Sequence, residues 1–137
     1  MKIKLDPGAK MPTRAHETDA GLDLYAADSV MIKPHCHRAI KTGVHVQIPE
    51  GYVGLLTSKS GRMLHDGFTC RGTIDSGYTG EIQAIVFNHT SNYLTIVAGE
   101  KVTQLVIVPI IAPELELVDE LDETERGTGG FGSTGTK

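Results

Sequence analysis

A chain of 137 residues, 39% hydrophobic and 22% charged, has material for one ordinary core, too polar for lipid and too apolar for disorder. Thirteen basic against seventeen acidic residues leave a formal charge of −4, so no global field gathers nucleic acid, and an anionic ligand must be held by a few local cations. No stretch approaches the roughly 20 apolar residues that span a bilayer, and the first residues carry no secretory core, so a cytoplasmic location (the host's, for a phage or virus) is expected.

Apolar segments are short and keep meeting Pro or Gly, which predicts strands and turns rather than long helices. In Ala20-Gly21-Leu22-Asp23-Leu24, taken alone, the Asp beside a Gly reads as a turn. Val30-Met31-Ile32 is a short strand stopped by Pro34. In His35-Cys36-His37 the two imidazoles share one strand face and the thiol the other, and without a fourth ligand no structural zinc is expected. Over 40–48, Ile40, Val44, Val46 and Ile48 take one parity while Lys41, His45 and Gln47 take the other, predicting one buried face.

After the strand candidate Val53-Gly54-Leu55-Leu56 comes Ser58-Lys59-Ser60-Gly61-Arg62. Its hydroxyls, cations and permissive glycine, at the start of a short helix over Ser60–His65, suit phosphate oxygens, although a surface helix cap uses the same residues. In Gly72-Thr73-Ile74-Asp75-Ser76-Gly77-Tyr78-Thr79-Gly80-Glu81-Ile82, three glycines around a carboxylate and a ring describe a hairpin able to offer its backbone to a flat ligand. An ordinary hairpin with Asp in the turn is the other reading. Ile82–Phe87 and Leu105–Ile111 are apolar on both parities and are expected as central strands buried on both faces. Gly99-Glu100-Lys101-Val102-Thr103-Gln104-Leu105 puts Gln104 at the mouth of the second. Lys101 and Arg62 are expected as solvated charges, and Cys36 and Cys70, without CxxC spacing, as free thiols.

The end of the chain changes character twice. Asp119 to Glu125 holds five carboxylates in seven residues, and Arg126-Gly127-Thr128-Gly129-Gly130-Phe131-Gly132-Ser133-Thr134-Gly135-Thr136-Lys137 follows as a glycine-rich arm expected to be flexible. A plain linker gains nothing from Arg126 and Phe131, whereas a segment closing over a phosphate and a base uses both. The organisation expected is an all-β jelly roll, sandwich or small barrel over 1–118 with at most one short helix, and over 119–137 an acidic connector and lid of the same domain.

In this order and spacing the five segments resemble the motif set of the deoxyuridine triphosphatases of the trimeric, jelly-roll type, from about Ala20 to Thr134. The resemblance implies hydrolysis of dUTP to dUMP and pyrophosphate by a water that attacks the α-phosphorus. It makes Asp75 the catalytic base and places Gln104 near the α-phosphate and that water. Tyr78 matches the ring that leaves no space for a 2′-hydroxyl, and Gly72 and Gln83 match backbone positions that pair with the uracil edge. Lys59, Ser60 and Gly61 would contact phosphates, and Asp23 would hold Mg²⁺ through metal-bound water. In the arm, Arg126 would grip the γ-phosphate, Phe131 would cover the base, and Gly132, Ser133 and Thr134 would add phosphate contacts.

The same resemblance implies a homotrimer with shared sites, while the charge balance and the lack of a long apolar stretch lead to the expectation of no direct contact with nucleic acid or membrane. Ser58-Lys59-Ser60-Gly61 departs from the family's Pro-Arg-Ser-Gly, losing a rigid φ and a planar guanidinium, and Gly77 stands where an acid is common. A dCTP deaminase shares the fold, but its catalytic glutamate position holds Ile85 here, which cannot shuttle a proton. A nucleotide-gated module that signals to a regulatory protein partner is the alternative from another class.

Overall fold

Ile40, Val44, Val46 and Ile48 are all buried, as their shared parity predicts. The run is broken at Thr42 and Gly43 into two strands that join different sheets. A computed structural model describes residues 1–130. In chain order the elements are β1 (Lys2–Leu5), β2 (Gly21–Tyr25), β3 (Val30–Ile32), β4 (His37–Lys41), β5 (Val44–Gln47), β6 (Tyr52–Thr57), α1 (Ser60–Asp66), β7 (Phe68–Ile74), β8 (Gln83–Asn88), β9 (Leu94–Ile96) and β10 (Lys101–Pro109). The expected short helix is present. Its N-cap is Lys59, which makes no side-chain cap, and Gly67 ends it in the left-handed region at φ 64°, where glycine meets least resistance.

One sheet has the order β2-β10-β6-β7-β8-β4, and the ribbons β1-β5 and β3-β9 complete a jelly-roll-like barrel, all pairs antiparallel. Leu24, Ile32, Ile40, Val44, Phe68, Ile82, Val86, Ile96, Val102 and Leu105 fill its interior. Burying this set is the main driving force of the fold, at about 1.5–3 kcal/mol per large apolar side chain.

The expectation of two doubly buried strands needs correction. β8 alternates strictly, with Ala84 and Val86 inside but Ile85 and Phe87 over 40% exposed. β10 is central in its sheet, yet Val106, Ile107 and Val108 are only half-buried, and beyond it Ile110 and Ile111 are exposed. A single chain has one core, and nothing among the described residues covers the outward parity of these strands. Beyond β10 no strand follows among the described residues, and Ile111, Leu115, Leu117 and Leu121 are each at least 88% exposed. No helix among the described residues is long and apolar enough to cross a membrane.

Candidate active site

The first cleft, about 520 Å³, lies where the loop after β6 meets the start of β10, and its lining includes Lys59, Ser60, Gly61, Arg62, Lys101 and Gln104. Asp23 of β2 stands beneath it, paired in register with Gln104 and only 4% exposed. One Asp23 oxygen takes the Lys59 ammonium and the other the Lys101 ammonium, the latter at 2.7 Å. Burial alone pushes the Asp23 carboxyl up, but Lys101 and Lys59 together outweigh it and hold the group below the ordinary carboxylate value. A buried carboxylate thus fixes two half-exposed ammonium groups at the cleft wall, a ready anion subsite.

Lys101 is therefore not the solvated charge expected, and neither is Arg62, which pairs with Asp66 at 2.8 Å and Glu100 at 3.4 Å and lies over the Phe68 ring. The Arg62–Asp66 pair is an i,i+4 contact within α1, but the Lys101–Asp23 and Arg62–Glu100 pairings join segments far apart in sequence, which no local pattern displays. Arg62 is largely neutralised where it stands, leaving Lys59 and Lys101 to face an anion.

Ser58 also gains a role that its sequence context hid. Its hydroxyl accepts from the Cys70 N–H at 2.8 Å and donates to the Cys70 carbonyl at 3.1 Å, clipping the loop to β7 in place of the family's proline. Gln104 Nε2 donates to the Ser58 carbonyl at 3.3 Å. A Cβ on Gly21 would sit 2.2 Å from Gln104 Oε1, so the amide occupies space that only glycine leaves free.

The second cleft, about 440 Å³, is a fork in the sheet. β7 pairs with β8 from Phe68↔Asn88 to Cys70↔Val86 and no further. Past that point β7 stays with β6 through Ile74, while β8 stays with β4 back to Gln83. Gly72 and Gln83 thus lie on diverging strands whose facing backbone edges have lost each other as partners, the hydrogen-bonding edge a flat polar ring needs. Asp75, exposed at the end of β7, and Tyr78, Glu81, Gln83 and Ile85 line this cleft.

Between the strands the turn is tightly defined. Tyr78 N–H donates to the Asp75 carbonyl at 3.0 Å, and its hydroxyl donates to the Glu81 carbonyl at 2.9 Å. The ring lies so close over Gly80 that a Cβ there would meet it at 2.5–2.9 Å. The Glu81 carboxylate accepts the Gly43 N–H at 2.9 Å.

No described residue lines both clefts. Gln104 is level with Arg71 across β6. Asp75 lies four residues further along the chain, about 13 Å along the strand and two strand spacings away, so the two side chains of one copy do not meet. Asp23, Lys59, Ser60, Gly61 and Gln104 are brought together. So are Asp75, Tyr78 and Gln83, while Gly72 lies on β7 three residues before Asp75 and does not itself line the cleft. Arg126 joins neither group and donates to the Gly129 carbonyl at 3.0 Å within its own turn, and Phe131, Gly132, Ser133 and Thr134 lie outside the described residues.

The described residues contain no group of three or more His, Cys, Asp or Glu side chains placed to hold a metal. With both Asp23 oxygens engaged by ammonium groups, the donor set does not fit a resident divalent ion bound directly. It leaves room only for a metal that arrives with a ligand and keeps its own waters.

The dUTPase family model matches residues 8–135. The chain belongs to the dUTPase family. Among curated dUTPase relatives, the deoxyuridine 5′-triphosphate nucleotidohydrolase of Picosynechococcus is 42% identical, with 98% of this chain and 96% of that one covered. That of Clostridium kluyveri is 43% identical over 97% of this chain and 95% of the relative. The Staphylococcus bacteriophage 80alpha dUTPase, solved with dUPNHPP, superposes with a TM-score of 0.92 at 39% identity over 98% of both chains. It is described among phage dUTPases that control transfer of virulence genes by a proto-oncogenic G protein-like mechanism. A mutant dUTPase from phage phi11 of S. aureus, described with a structural Mg(II) ion, matches with a TM-score of 0.82 at 37% identity over 87% of this chain and 96% of that one.

Proposed function

We propose that the protein hydrolyses dUTP, as its magnesium complex, to dUMP and pyrophosphate. The observation that carries this reading is the β7–β8 fork, a slot with free backbone edges flanked by a carboxylate and a ring. Uracil enters the fork edge-on and pairs with backbone near Gly72 and Gln83. The thymine methyl finds no room, and cytosine, with donor and acceptor exchanged, leaves buried groups unpaired. Tyr78 packs under the deoxyribose and excludes a 2′-hydroxyl. Ile85 supplies hydrocarbon where a dCTP deaminase needs its glutamate, which favours hydrolysis over deamination.

Asp75 orients the attacking water and takes its proton as the water's oxygen bonds to the α-phosphorus and pyrophosphate leaves. Gln104 positions the α-phosphate and the water. Lys59 and Lys101, with Ser60 and Gly61, receive the phosphate chain, and Arg126 takes the γ-phosphate while Phe131 to Thr134 close over the nucleotide. Mg²⁺, when bound, spreads the negative charge of the phosphates. Asp23 meets it only through metal-bound water, because its own oxygens are given to the two lysines.

Asp75 and Gln104 serve one phosphorus only if different copies contribute them. The uncovered apolar parity of β10 and the exposed Ile111, Leu115, Leu117 and Leu121 supply surface for such an assembly, and a homotrimer with shared sites is the proposed form. A regulatory protein partner that reads arm closure is compatible with this chemistry.

The deciding experiment measures pyrophosphate release at neutral pH with Mg²⁺ from dUTP, dTTP, dCTP and UTP, for the full chain and for a chain ending at Glu125. Release from dUTP alone, lost on truncation, is expected. Equal release from UTP or dTTP would overturn the assignment of the fork and Tyr78, and no release from any substrate would overturn the enzymatic reading.

A further inference from the structure

The Tyr78 turn is anchored from behind by a side chain that the hydrolytic chemistry does not use. His45 on β5 faces Lys4 of β1 in register, and its imidazole is 18% exposed. Nδ1 lies 3.0 Å from the Thr79 carbonyl, and Nε2 lies 3.2 Å from each oxygen of Asp6. A carbonyl and a carboxylate only accept. A neutral imidazole carries one N–H and satisfies one of them; the imidazolium carries two and satisfies both.

Every other tie on this turn among the described residues comes from neutral groups or from an acid already engaged. Tyr78 is held by the Asp75 and Glu81 carbonyls, and the Glu81 carboxylate is occupied by the Gly43 N–H. Among the described residues, the charged groups facing His45 are Lys4 of β1 and Asp6 just beyond its end, with Lys2 lining the same groove. The Thr79 carbonyl first, and then Asp6, raise the imidazole above its ordinary value of 6.5, against the opposition of partial burial and Lys4.

We infer that His45, as an imidazolium bridging Asp6 and the Thr79 carbonyl, is a positioning residue for the Tyr78 ring, an inference that rests on the dUTP reading of the fork. Losing its proton loosens the turn and weakens nucleotide binding. The proton that leaves is the one on Nδ1, because the carboxylate is the stronger acceptor and retains its N–H. A lone pair then faces the Thr79 oxygen, and the turn relaxes away from it. Because the folded value is raised, the lock is complete below about pH 6.5 and is lost as pH climbs through the folded value.

The test combines KM and kcat for dUTP between pH 6 and 8.5 with an NMR titration of the His45 ring and of the Tyr78 and Gly80 amides in the nucleotide-free protein. His45→Asn places an amide nitrogen where Nδ1 lies and keeps the donor without the titration, so wild-type KM divided by His45→Asn KM at each pH cancels the ionisation of the substrate. That ratio is expected to rise about three- to tenfold across the His45 midpoint while kcat stays level, and His45→Phe is expected to have a raised KM even at pH 6. Asp6→Asn should move the midpoint down. A flat ratio while the ring titrates would overturn the proposal. If the wild type fails to turn over dUTP, the substrate reading fails separately; amides of Tyr78 and Gly80 that follow the ring's midpoint would still support the lock, and amides that ignore it would refute it.

Discussion

Gly21 and Gln104 fill one space between them: a Cβ on Gly21 would lie 2.2 Å from Gln104 Oε1 and 2.9 Å from its carbonyl carbon. The two are diagonal neighbours on paired β2 and β10, where Gln104 faces Asp23 and Val106 faces Gly21. Gly21→Ala must therefore rotate the amide away from its place in the Lys59–Lys101 cleft, although position 21 does not line that cleft. The expected result is a folded protein with kcat for dUTP reduced by about 10²-fold, the scale of losing one well-placed polar group at a reacting centre. Adding Gly21→Ala to Gln104→Ala should cost little more, since both remove the same amide. Additive losses in that cycle would mean that Gly21 acts elsewhere.

The phosphate cleft also sets a pH limit on stability. Asp23 is held below its ordinary value of 3.8 by Lys101 and Lys59. A lowered carboxylate value contributes stability that is complete above the unfolded value and lost as pH falls through the folded one. Asp23→Asn should destabilise the protein at pH 7 by about 2 kcal/mol, less than for a fully buried pair because both lysines reach solvent. The gap to wild type, measured by urea unfolding, should narrow only below about pH 4. A gap that closes between pH 5 and 7 would assign the loss to a different group.

The fold class and the short helix were legible because their signals are local: the parity over 40–48, the Pro and Gly punctuation, and one run with a cap-like start. The site was legible as types, since Asp75, Tyr78 and Gln104 stand in recognisable motifs. What stayed hidden is long-range. Lys101 read as a surface charge because nothing near it in sequence announces Asp23, and Arg62 because its helix partner Asp66 is an ordinary surface pair while Glu100 lies 38 residues away. Ser58 read as a loss of rigidity because its partner, Cys70, lies twelve residues away on another strand. Ile85 and Phe87 read as core because an apolar side chain looks the same whether its own chain or a ligand or neighbour covers it.

The Ser58 clip is testable on its own terms. Ser58→Ala leaves the paired Cys70 N–H and carbonyl without their side-chain partner and frees the loop that carries Lys59. About 1–2 kcal/mol of stability should be lost, with KM for dUTP raised about three- to tenfold and kcat nearly unchanged, since the role proposed for Lys59 is to bind phosphate with no part in proton transfer. Ser58→Pro fixes φ by its ring instead and should recover most of the KM while remaining less stable than wild type. A Ser58→Pro KM as poor as that of Ser58→Ala would show that the hydrogen bonds, and not loop rigidity, place the lysine.

The separation of Asp75 from Gln104 gives a sharper test of shared sites. Asp75→Asn and Gln104→Ala should each be nearly inactive, because each removes one side of the proposed reacting centre. If every site takes Asp75 from one copy and Gln104 from another, subunits of the two variants unfolded, mixed in equal amounts and refolded together regain activity. A site then works when its Asp75 donor is the Gln104→Ala subunit and its Gln104 donor is the Asp75→Asn subunit. Random assembly makes both true about one time in four, so the mixture should reach about a quarter of wild-type kcat per site. Sites completed within one chain would leave the mixture as inactive as its parts, and the exposed apolar strip from Ile111 to Leu121 would then need a different occupant.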